Sequence, residues 1–314
     1  MKLYAVIVTY NRLERLKRTL EATLGENPAG VLVVNNASTD GTTEWLSNVE
    51  DKHIKILNLP ENKGGAGGFH AGFKWIVENT DAEWLVCYDD DAYPQDGAYT
   101  AFKKLPLSNQ IGGVAAAVYL PDGQIAEMNR PSINPFTNIK TIVKAAIGGR
   151  MGFHISDDWY RLKVNKKIDQ SSFVGLFLRV SLVRDVWGYP DENLFIYADD
   201  MIYTNQVSHS GYDILFAPTV EFVHDCITLI QQKAVYNPLW KAFYTYRNGL
   251  KLYRLMAGHL FWLVVLPKIF VWILNTRHYK NKKVYLRLSI IAIFDGLFEK
   301  YDRPHIEVIK ISEC

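Results

Sequence analysis

Three consecutive aspartates follow an apolar run in the segment CYDDDAYP, which extends from Cys87 to Pro94. Adjacent carboxylates repel one another, so they persist where solvent screens them or where a cation lies between them. Aspartates are hard oxygen ligands that suit Mg²⁺ or Mn²⁺. Because side chains alternate along an extended chain, Asp89 and Asp91 point to one side and Asp90 to the other. We therefore expect Asp91, helped by Asp89, to face a divalent cation and Asp90 to face a sugar or base hydroxyl. A solvated acidic turn is the simpler alternative.

A second acidic pair, Asp199 and Asp200, stands before a predicted helix in the segment YADDMIY. The dipole of a helix N-terminus stabilises negative charge, so either residue could simply cap the helix. Alternatively, one of them could act as a general base that accepts a proton from an attacking hydroxyl. His224 follows an apolar run in EFVHDC. A core histidine is the default interpretation for it alone, but beside an acidic edge it could supply an imidazole to the same cation.

Polar segments follow two other predicted strands. Thr9, Asn11 and Arg12 lie in VTYNR, and Asn35 lies in VVNNASTDGT. Both segments could be ordinary strand exits and turns, or they could form a rim that hydrogen-bonds a flat heterocycle. A third segment, PENKGGAGGFHAG, has four glycines in five positions, which lets a backbone approach a ligand closely. It lacks the spacing of a dinucleotide fingerprint or a P-loop, and we interpret it as a nucleotide- or phosphate-contacting loop that leads into a helix N-terminus.

The elements that must position these residues alternate between strands and helices. Apolar runs predict strands at residues 3–9, 30–34, 53–59, 83–88 and 112–120, with a helix around residues 69–78. This alternation indicates an α/β fold with an open, mostly parallel sheet flanked by helices. Ligands of such sheets bind beyond the carboxyl ends of the strands, where all the segments above lie. Residues 121–170 break the pattern and predict long loops, and the segments at 171–180 and 213–225 restore extended structure.

Composition narrows the class of protein. The 314 residues carry a net charge of +2, which gives no general attraction to nucleic acid. The three cysteines are irregularly spaced, which indicates a reducing compartment without a disulfide framework or zinc site. The apolar run at the N-terminus is too short for a signal peptide. We therefore expect a cytoplasmic protein.

The C-terminal region is strongly apolar after Asp225 and then basic. Its longest stretch without a formal charge, Leu255–Pro267, is shorter than the roughly 20 residues that a spanning helix needs, and a basic segment, Arg277–Lys283, follows. The simplest interpretation is a helical subdomain with its own core. The alternatives are a helix pair that rests on an anionic cytoplasmic leaflet, or a true span. Arg247 and Asn248 open this region, where the arginine could clamp a phosphate or form a structural salt bridge.

Seven segments, taken in order along the chain, resemble the inverting glycosyltransferases of family 2, which have a GT-A fold. These segments are VTYNR, VVNNASTDGT, NKGGAGGFHAG, YDDDAYP, FVGLFLRV, IYADDMIYTNQ and FVHD. The resemblance covers roughly residues 1–226 as a catalytic domain and leaves residues 227–314 as the helical subdomain. Within the family, the DDD triplet with GGAGGF and ADDMIY looks most like bacterial galactofuranosyltransferases, with rhamnosyltransferases next. These enzymes build O-antigen, capsule or cell-wall galactan, components of bacterial surface polysaccharide and lipopolysaccharide.

The resemblance implies a role for each matching residue. The nucleotide-sugar contacts would come from Thr9, Asn11, Arg12, Asn35, Asn62, Gly65, Gly68, Asp89 and Asp90. The divalent metal, Mn²⁺ or Mg²⁺, would be held by Asp91 and His224 with Asp89. Asp200 would be the catalytic base, and Trp159, Tyr160 and Asp199 would contact the acceptor. Asn35 stands where many members carry an aspartate.

The implied reaction is a single displacement with inversion, in which the metal neutralises the diphosphate leaving group and the base deprotonates an acceptor hydroxyl. The favoured donor is UDP-galactofuranose, and the acceptor is a glycan or a lipid-linked glycan. A rhamnosyltransferase, a nucleotidyltransferase and a non-catalytic carbohydrate-binding assembly protein are the alternatives. The expected location is the cytoplasm, with peripheral attachment to the inner face of the cytoplasmic membrane as the further option.

Overall fold

The computed structural model describes residues 1–148, 152–226 and 235–313. The strands are β1 (Leu3–Thr9), β2 (Gly30–Asn35), β3 (Ile54–Asn58), β4 (Trp84–Asp89), β5 (Ala92–Pro94), β6 (Ile111–Tyr119), β7 (Lys166–Ile168), β8 (Leu176–Arg179) and β9 (Asp213–His224). The helices are α1 (Leu13–Gly25), α2 (Thr42–Ser47), α3 (Gly64–Asn79), α4 (Ala98–Lys103), α5 (Ile139–Gly148), α6 (Asp157–Arg161), α7 (Val180–Leu182), α8 (Asp199–His209), α9 (Trp240–Ala257), α10 (Phe261–Leu274), α11 (Lys282–Leu297) and α12 (His305–Glu313).

Shorter helical turns lie between these elements. Those of 3₁₀ type are Glu127–Asn129, Pro135–Thr137, Glu192–Leu194, Gly258–Leu260 and Asn275–His278, and a π-helical turn spans Val183–Trp187. The interval 121–170, which the sequence predicted as long loops, contains α5, α6 and β7 between irregular segments; residues 149–151 within it lie outside the described part.

The strands form one mixed sheet in the order β3-β2-β1-β4-β8-β6-β9-β5, with β7 also paired to β9. The first four strands in this order are parallel, as the strand–helix alternation predicted. The second half is not, because β8 runs antiparallel to both β4 and β6. The expected α/β fold is confirmed, and the expectation of a mostly parallel sheet holds for its N-terminal half.

Helices cover both faces of this sheet, which explains why its strands read as continuous apolar runs. Alternate residues of β1 enter different cores. Ile7 belongs to a buried cluster with Leu16 of α1. Val6 and Val8 belong to a second cluster with Phe73 of α3. The sheet is therefore fixed from two sides, and its strand ends give a rigid edge on which a site can be built.

The glycine-rich segment is the first turn of α3 and not the predicted loop, because α3 already begins at Gly64. A Cβ atom on Gly68 would lie 2.5 Å from Val8 Cγ1, and one on Gly72 would lie 2.6 Å from Val6 Cγ1. Real Cβ atoms do not approach other atoms so closely, so these glycines let α3 pack directly on β1. The glycine-rich pattern predicted a close approach of the backbone to a ligand. At Gly68 and Gly72 the close approach is instead that of α3 to the sheet.

Helices α9 to α12 pack on one another and on residues that precede them in the chain, among them those of α8. Their buried core contains Tyr246 and Tyr285, and Phe195 packs against it from outside the helices. The expected boundary between residues 226 and 227 lies at the edge of the described residues. One helical stretch, Trp240–His278, is long and apolar enough to cross a membrane by length and composition, with a mean hydropathy of 1.8 in its most apolar window, of which 17% is buried.

Candidate active site

The end of β4 and the end of β9 meet at one corner of the sheet. After Asp89 the chain turns and β5 pairs antiparallel with β9, which places Ala92 opposite His224. The backbone N–H of Asp225 then donates to the carbonyl oxygen of Asp91 at 2.8 Å. As a result, one ligand atom from each of Asp89, Asp91 and His224 lies within 4.8 Å of the others. The structure thus brings together the three residues that the sequence suggested as metal ligands.

The imidazole of His224 has a fixed orientation. Its Nδ1 lies 2.7 Å from the side-chain oxygen of Asn129, which can only accept a hydrogen bond, so Nδ1 carries the proton. The amide nitrogen of Asn129 donates in turn to Ser172 Oγ at 3.0 Å. This arrangement directs Nε2 to the acidic side, 3.2 Å from Asp91 Oδ1, where it donates when protonated and offers a lone pair once the proton is lost. Orientation of a ligating histidine by a second partner is common at metal sites.

Two arginines, Arg12 directly before α1 and Arg15 in its first turn, reach the same carboxylate. Arg12 Nη1 lies 2.6 Å and Arg15 Nη1 lies 2.8 Å from Asp91 Oδ2. Arg12 Nη1 also lies 3.3 Å from Asp90 Oδ1. Both guanidinium groups are partly exposed, so they can contact an anionic ligand while they offset the charge of the triplet. Sequence reasoning named Arg12 but missed Arg15, although the spacing of three residues on a helix places both on one face.

The carboxyl groups of the triplet differ in proton affinity. Burial, with the charge of Asp91, raises the pKa of Asp89 to about 7. Burial raises the pKa of Asp90 to about 6 against the lowering effect of Arg12. Burial opposes ionisation of Asp91 too, but the hydrogen bond to His224 and the charges of His224 and Arg12 hold its pKa below the ordinary value. Asp89 is thus the ligand candidate with the largest uncompensated cost of ionisation, a cost that a bound cation would offset.

His224 titrates together with this acid. Burial alone would lower its pKa, but the hydrogen bond to Asp91 and the acidic surroundings raise the pKa of His224 to about 10. In the absence of a metal the pair is therefore an imidazolium and a carboxylate. A metal ion at Nε2 must displace that proton, which makes metal binding favourable at higher pH.

Asp90 is not a member of the cluster that Asp89, Asp91 and His224 form, and its carboxylate contacts protein groups, Arg12 among them. The side chain is buried, and its Oδ2 accepts from Thr9 Oγ1 at 2.7 Å and from the backbone N–H of Tyr10 at 3.3 Å. Thr9 is itself buried. The two buried side chains therefore join β1 to the triplet, and their contact with a base or sugar hydroxyl stays a prediction.

Some of the remaining residues that were predicted to contact the nucleotide are accessible, and others are buried and bonded to protein groups. Asn35 is buried and its amide donates to Thr43 Oγ1 at 2.7 Å and to Asn58 Oδ1 at 2.8 Å, so protein groups satisfy it. Asn11 is exposed, although its Oδ1 accepts from the backbone N–H of Thr39. Asn62 is half-buried at the start of α3. Asn11 and Asn62 are therefore the predicted contacts that remain accessible at the rim.

The glycines of the segment GGAGG also differ in whether a ligand could reach them. Space around Gly65 is open, since nothing lies within 4 Å of a Cβ built on it. The backbone N–H of Gly64 donates to Asn62 Oδ1 at 2.8 Å, and that of Ala66 donates to the carbonyl of Phe195 at 3.1 Å. Protein acceptors thus already use two amides of the first turn of α3, and a phosphate would find fewer free donors there than the sequence suggested. Gly68, packed on β1, does not face the cleft.

The second acidic pair opens α8. Asp200 is half-buried, and its Oδ1 accepts from the backbone N–H of Met201 at 2.7 Å. Burial raises the pKa of Asp200 to about 6. Asp199 is buried, and burial with the charge of Asp200 raises its pKa well above the ordinary value. The charge of Asp89 also raises the pKa of Asp199. Of the pair, Asp200 is the more accessible.

The aromatic pair predicted to contact the acceptor lies mostly in the protein interior. The ring of Tyr160 is buried, 4.8 Å from the ring of Phe216 and 6.0 Å from that of Tyr119. Its faces are therefore covered, and the prediction that Tyr160 stacks on a sugar is corrected. Trp159 is half-buried beneath Lys166, whose Nζ lies 4.4 Å from the ring centroid.

These features together, an acidic triplet with a histidine at the carboxyl edge of a mixed sheet, agree with comparison to known proteins. Residues 4–169, more than half of the chain, match the family described as glycosyl transferase family 2. The chain belongs to glycosyltransferase family 2. The family resemblance inferred from its motifs is therefore confirmed at this level.

The chain also has a similar curated relative and similar solved structures. The chain is similar to the dTDP-rhamnosyl transferase RfbF of Shigella flexneri, with 24% identity over 94% of this chain and 95% of the relative. It is similar in fold to the mannosyltransferase PcManGT from Pyrobaculum calidifontis in complex with GDP-Man and Mn²⁺, with a TM-score of 0.56 and 16% identity over 95% of this chain and 88% of that one.

A further structural neighbour is GalNAc-T7 with UDP, GalNAc and Mn²⁺, with a TM-score of 0.61 and 12% identity. The match covers 97% of this chain and 58% of that chain. Identities this low carry information on the fold alone. The structural matches show that the chain has a glycosyltransferase fold of GT-A type, with a C-terminal helical region.

Proposed function

We propose that this family 2 glycosyltransferase is an inverting, metal-dependent enzyme that transfers a sugar from a nucleotide-diphosphate donor to a glycan acceptor in the synthesis of bacterial surface polysaccharide. The observation that carries the proposal is the cluster of Asp89, Asp91 and His224 within 4.8 Å. A non-catalytic carbohydrate-binding protein would need no base, whereas this chain has Asp200 at the start of α8, and burial raises the pKa of its carboxyl group only to about 6, which leaves it largely ionised at pH 7.

The donor atoms of the cluster fit a divalent metal. Two carboxylates and one imidazole suit Mn²⁺, and Mg²⁺ if the nitrogen is one ligand among oxygens. Asn129 holds His224 so that Nε2 is directed to the acids. A bound cation would neutralise the charge that develops on the diphosphate leaving group. Arg12 and Arg15, both within 2.8 Å of Asp91 Oδ2, place further positive charge beside the same position.

Asp200 is the proposed base. Its pKa of about 6, raised by burial, means that the carboxylate is largely ionised at pH 7 yet basic enough to accept a proton. The N-terminus of α8 stabilises its charge. Asp199 is buried behind it and takes no direct part in proton transfer in this proposal. No protein nucleophile is required, because a single displacement gives inversion.

Two donors are proposed, and different observations favour them. The motifs of the chain resemble those of galactofuranosyltransferases, which favours UDP-galactofuranose. The relative that matches nearly the full chain is described as a dTDP-rhamnosyl transferase, which favours dTDP-rhamnose. The acceptor is a glycan or a lipid-linked glycan.

A donor screen tests the proposal. UDP-galactofuranose, UDP-galactose and dTDP-rhamnose are offered with Mn²⁺ and with chelator, and thermal shift and product mass are measured. We expect stabilisation by one donor with Mn²⁺, and hydrolysis or transfer that chelator abolishes. Stabilisation by a sugar nucleotide without turnover would support the carbohydrate-binding alternative, and equal turnover in chelator would contradict metal dependence.

We also propose that the C-terminal helices bind an anionic membrane surface peripherally. Apolar side chains on α10 are exposed, including Leu263 at 74% and Phe270 at 64%. The basic segment Arg277–Lys283 follows directly. An exposed apolar helix face beside clustered basic residues is typical of an interfacial helix. This chemistry favours a lipid surface over a second protein copy.

Vesicle sedimentation tests this part. We expect the protein to pellet with vesicles that contain anionic lipid, and Leu263→Glu with Phe270→Glu to release it. Ile139→Glu is the matched control, because Ile139 is exposed to 78% on α5, away from the basic segment. Equal pelleting of the double variant, or concentration-dependent dimerisation that the double variant abolishes, would contradict membrane docking.

A further inference from the structure

The segment that leads into the candidate base has an unusual backbone. Residues 193–198, here called the base-leading segment, connect a 3₁₀ turn to α8. Three of its non-glycine residues have positive φ, namely Phe195 at 64°, Tyr197 at 69° and Ala198 at 61°. Residues with a Cβ atom rarely adopt this left-handed conformation, and it persists only where surrounding structure imposes it. Some other part of the protein must therefore hold this segment.

Asn248 of α9 provides one part of that restraint. Its side chain is completely buried, and its amide nitrogen lies 3.0 Å from the carbonyl oxygen of Leu194, 2.8 Å from that of Ile196 and 2.9 Å from that of Tyr197. A single amide group thus collects three carbonyls of one short segment. These carbonyls can converge on one point only because the backbone between them turns through left-handed residues.

Arg247 provides the second part. It is also completely buried, and its Nη2 donates to the carbonyls of Asn193 and Leu194, each at 3.0 Å. Its Nε donates to Asn248 Oδ1 at 3.0 Å, which directs the amide nitrogen of Asn248 to the segment. Among the residues that the structure describes, none forms an ion pair with Arg247. The guanidinium is therefore neither the phosphate clamp nor the salt bridge that the sequence suggested.

A buried cation without a carboxylate partner is costly, so its position calls for a physical reason. Aromatic rings surround the guanidinium, with centroids 5.0 Å away for Tyr244 and 5.4 Å away for Tyr301. Ring faces and backbone carbonyls together stabilise the charge without a counter-ion that would draw it off the segment. Arg247 Nη2 and the amide nitrogen of Asn248 are thus directed at the base-leading segment, while Arg247 Nη1 donates to the carbonyl of Tyr301 at 3.3 Å.

The other side of the segment is held by α3. The carbonyl of Phe195 accepts from the backbone N–H of Ala66, and a Cβ atom on Gly64 would lie 2.0 Å from that carbonyl oxygen. The ring of Phe195 stacks on His305 of α12 at a centroid distance of 4.1 Å. The segment is therefore fixed between the catalytic half of the chain and the C-terminal helices, directly before Asp199.

We propose that Arg247 and Asn248 are positioning residues for Asp200, which hold the base-leading segment in its left-handed conformation so that the carboxylate at the start of α8 faces the acidic cluster. The inference rests on the proposed function, since it needs Asp200 to be the base. It assigns the C-terminal helices a part in catalysis that is independent of any membrane role.

The test compares Arg247→Lys and Asn248→Ala with the unaltered protein under saturating Mn²⁺. We expect kcat to fall at least tenfold while the dissociation constant of the donor nucleotide changes less than twofold. Arg303→Lys is the control, because Arg303 pairs with the buried Asp295 within the same helices, at 2.6 Å, and does not contact the segment. That variant should lower the melting temperature and leave kcat unchanged. Should Arg247→Lys fail to fold, Asn248→Ala decides, since it leaves no altered charge.

A double-variant cycle separates positioning from general destabilisation. In an Asp200→Asn background, Asn248→Ala should cause no further loss of kcat, because residues that act through one group are not additive. Additive losses, or a kcat that Asn248→Ala leaves unchanged, would overturn the inference. Failure of the proposed function looks different, since Asp200→Asn alone would then retain its kcat.

Discussion

The protonation state of Asp200 should control the rate of transfer on the acidic side of neutrality. Burial raises the pKa of this carboxyl to about 6. A general base acts only when it is deprotonated, so activity is present above this pKa and is lost as the pH falls through it. With a pKa of about 6, roughly nine-tenths of the groups are ionised at pH 7 and roughly one-tenth at pH 5. We therefore expect kcat to fall about tenfold between these two values.

The assay must separate the base from the metal cluster. Asp89 has a pKa of about 7 because of burial and the charge of Asp91, so metal binding also weakens with acid. Measurement of kcat at saturating Mn²⁺, donor and acceptor keeps the cluster occupied and reports the pKa of the bound complex. The Asp200→Asn variant serves as the control, and its low residual rate should lack the acidic limb. A flat profile between pH 7 and pH 5, or the same limb in both proteins, would refute this assignment.

Two further predictions follow from packing and orientation. Asn129→Ala removes the acceptor 2.7 Å from His224 Nδ1, so metal affinity should fall by about 10–100-fold in a titration with Mn²⁺, and unchanged affinity would show that the orientation of His224 does not depend on it. Gly68→Ala puts a Cβ 2.5 Å from Val8 Cγ1 and should destabilise the protein by about 1–3 kcal/mol in urea unfolding. Gly65→Ala, on the same helix with open space around it, should leave stability unchanged or raise it by up to about 1 kcal/mol; equal effects of the two variants would contradict the packing argument.

Patterns in the sequence predict the strands of this protein well where a strand is buried along its whole length. The run at residues 3–9 predicts β1 at its observed bounds, because a strand covered on both faces has no polar position to blur its ends. Asp89, Asp91 and His224 could be grouped from sequence because the ends of buried strands meet at one edge of a sheet. The parallel direction of the first four strands was predictable from the alternation of strands and helices along the chain.

Other features depend on contacts between distant segments, which local patterns do not reveal. Glycines permit close approach, but the sequence does not say of what, and Gly68 meets Val8 in place of a ligand. Asn129 lies in an irregular stretch without periodicity, so nothing local marked it as the partner of His224. Arg247 looked like a surface phosphate ligand or half of a salt bridge, and only the tertiary structure shows its carbonyl partners.

The central claim is that Asp89, Asp91 and His224 hold the cation on which transfer depends, and Mn²⁺ binding with turnover measured on Asp91→Ala tests it most directly. Asp96→Ala is the matched control, because Asp96 is an exposed aspartate five residues further along the chain. The account predicts that Asp91→Ala loses both calorimetric Mn²⁺ binding and sugar transfer, while Asp96→Ala keeps both. Sugar transfer by Asp91→Ala at the unaltered rate, or transfer that persists in chelator, would contradict it.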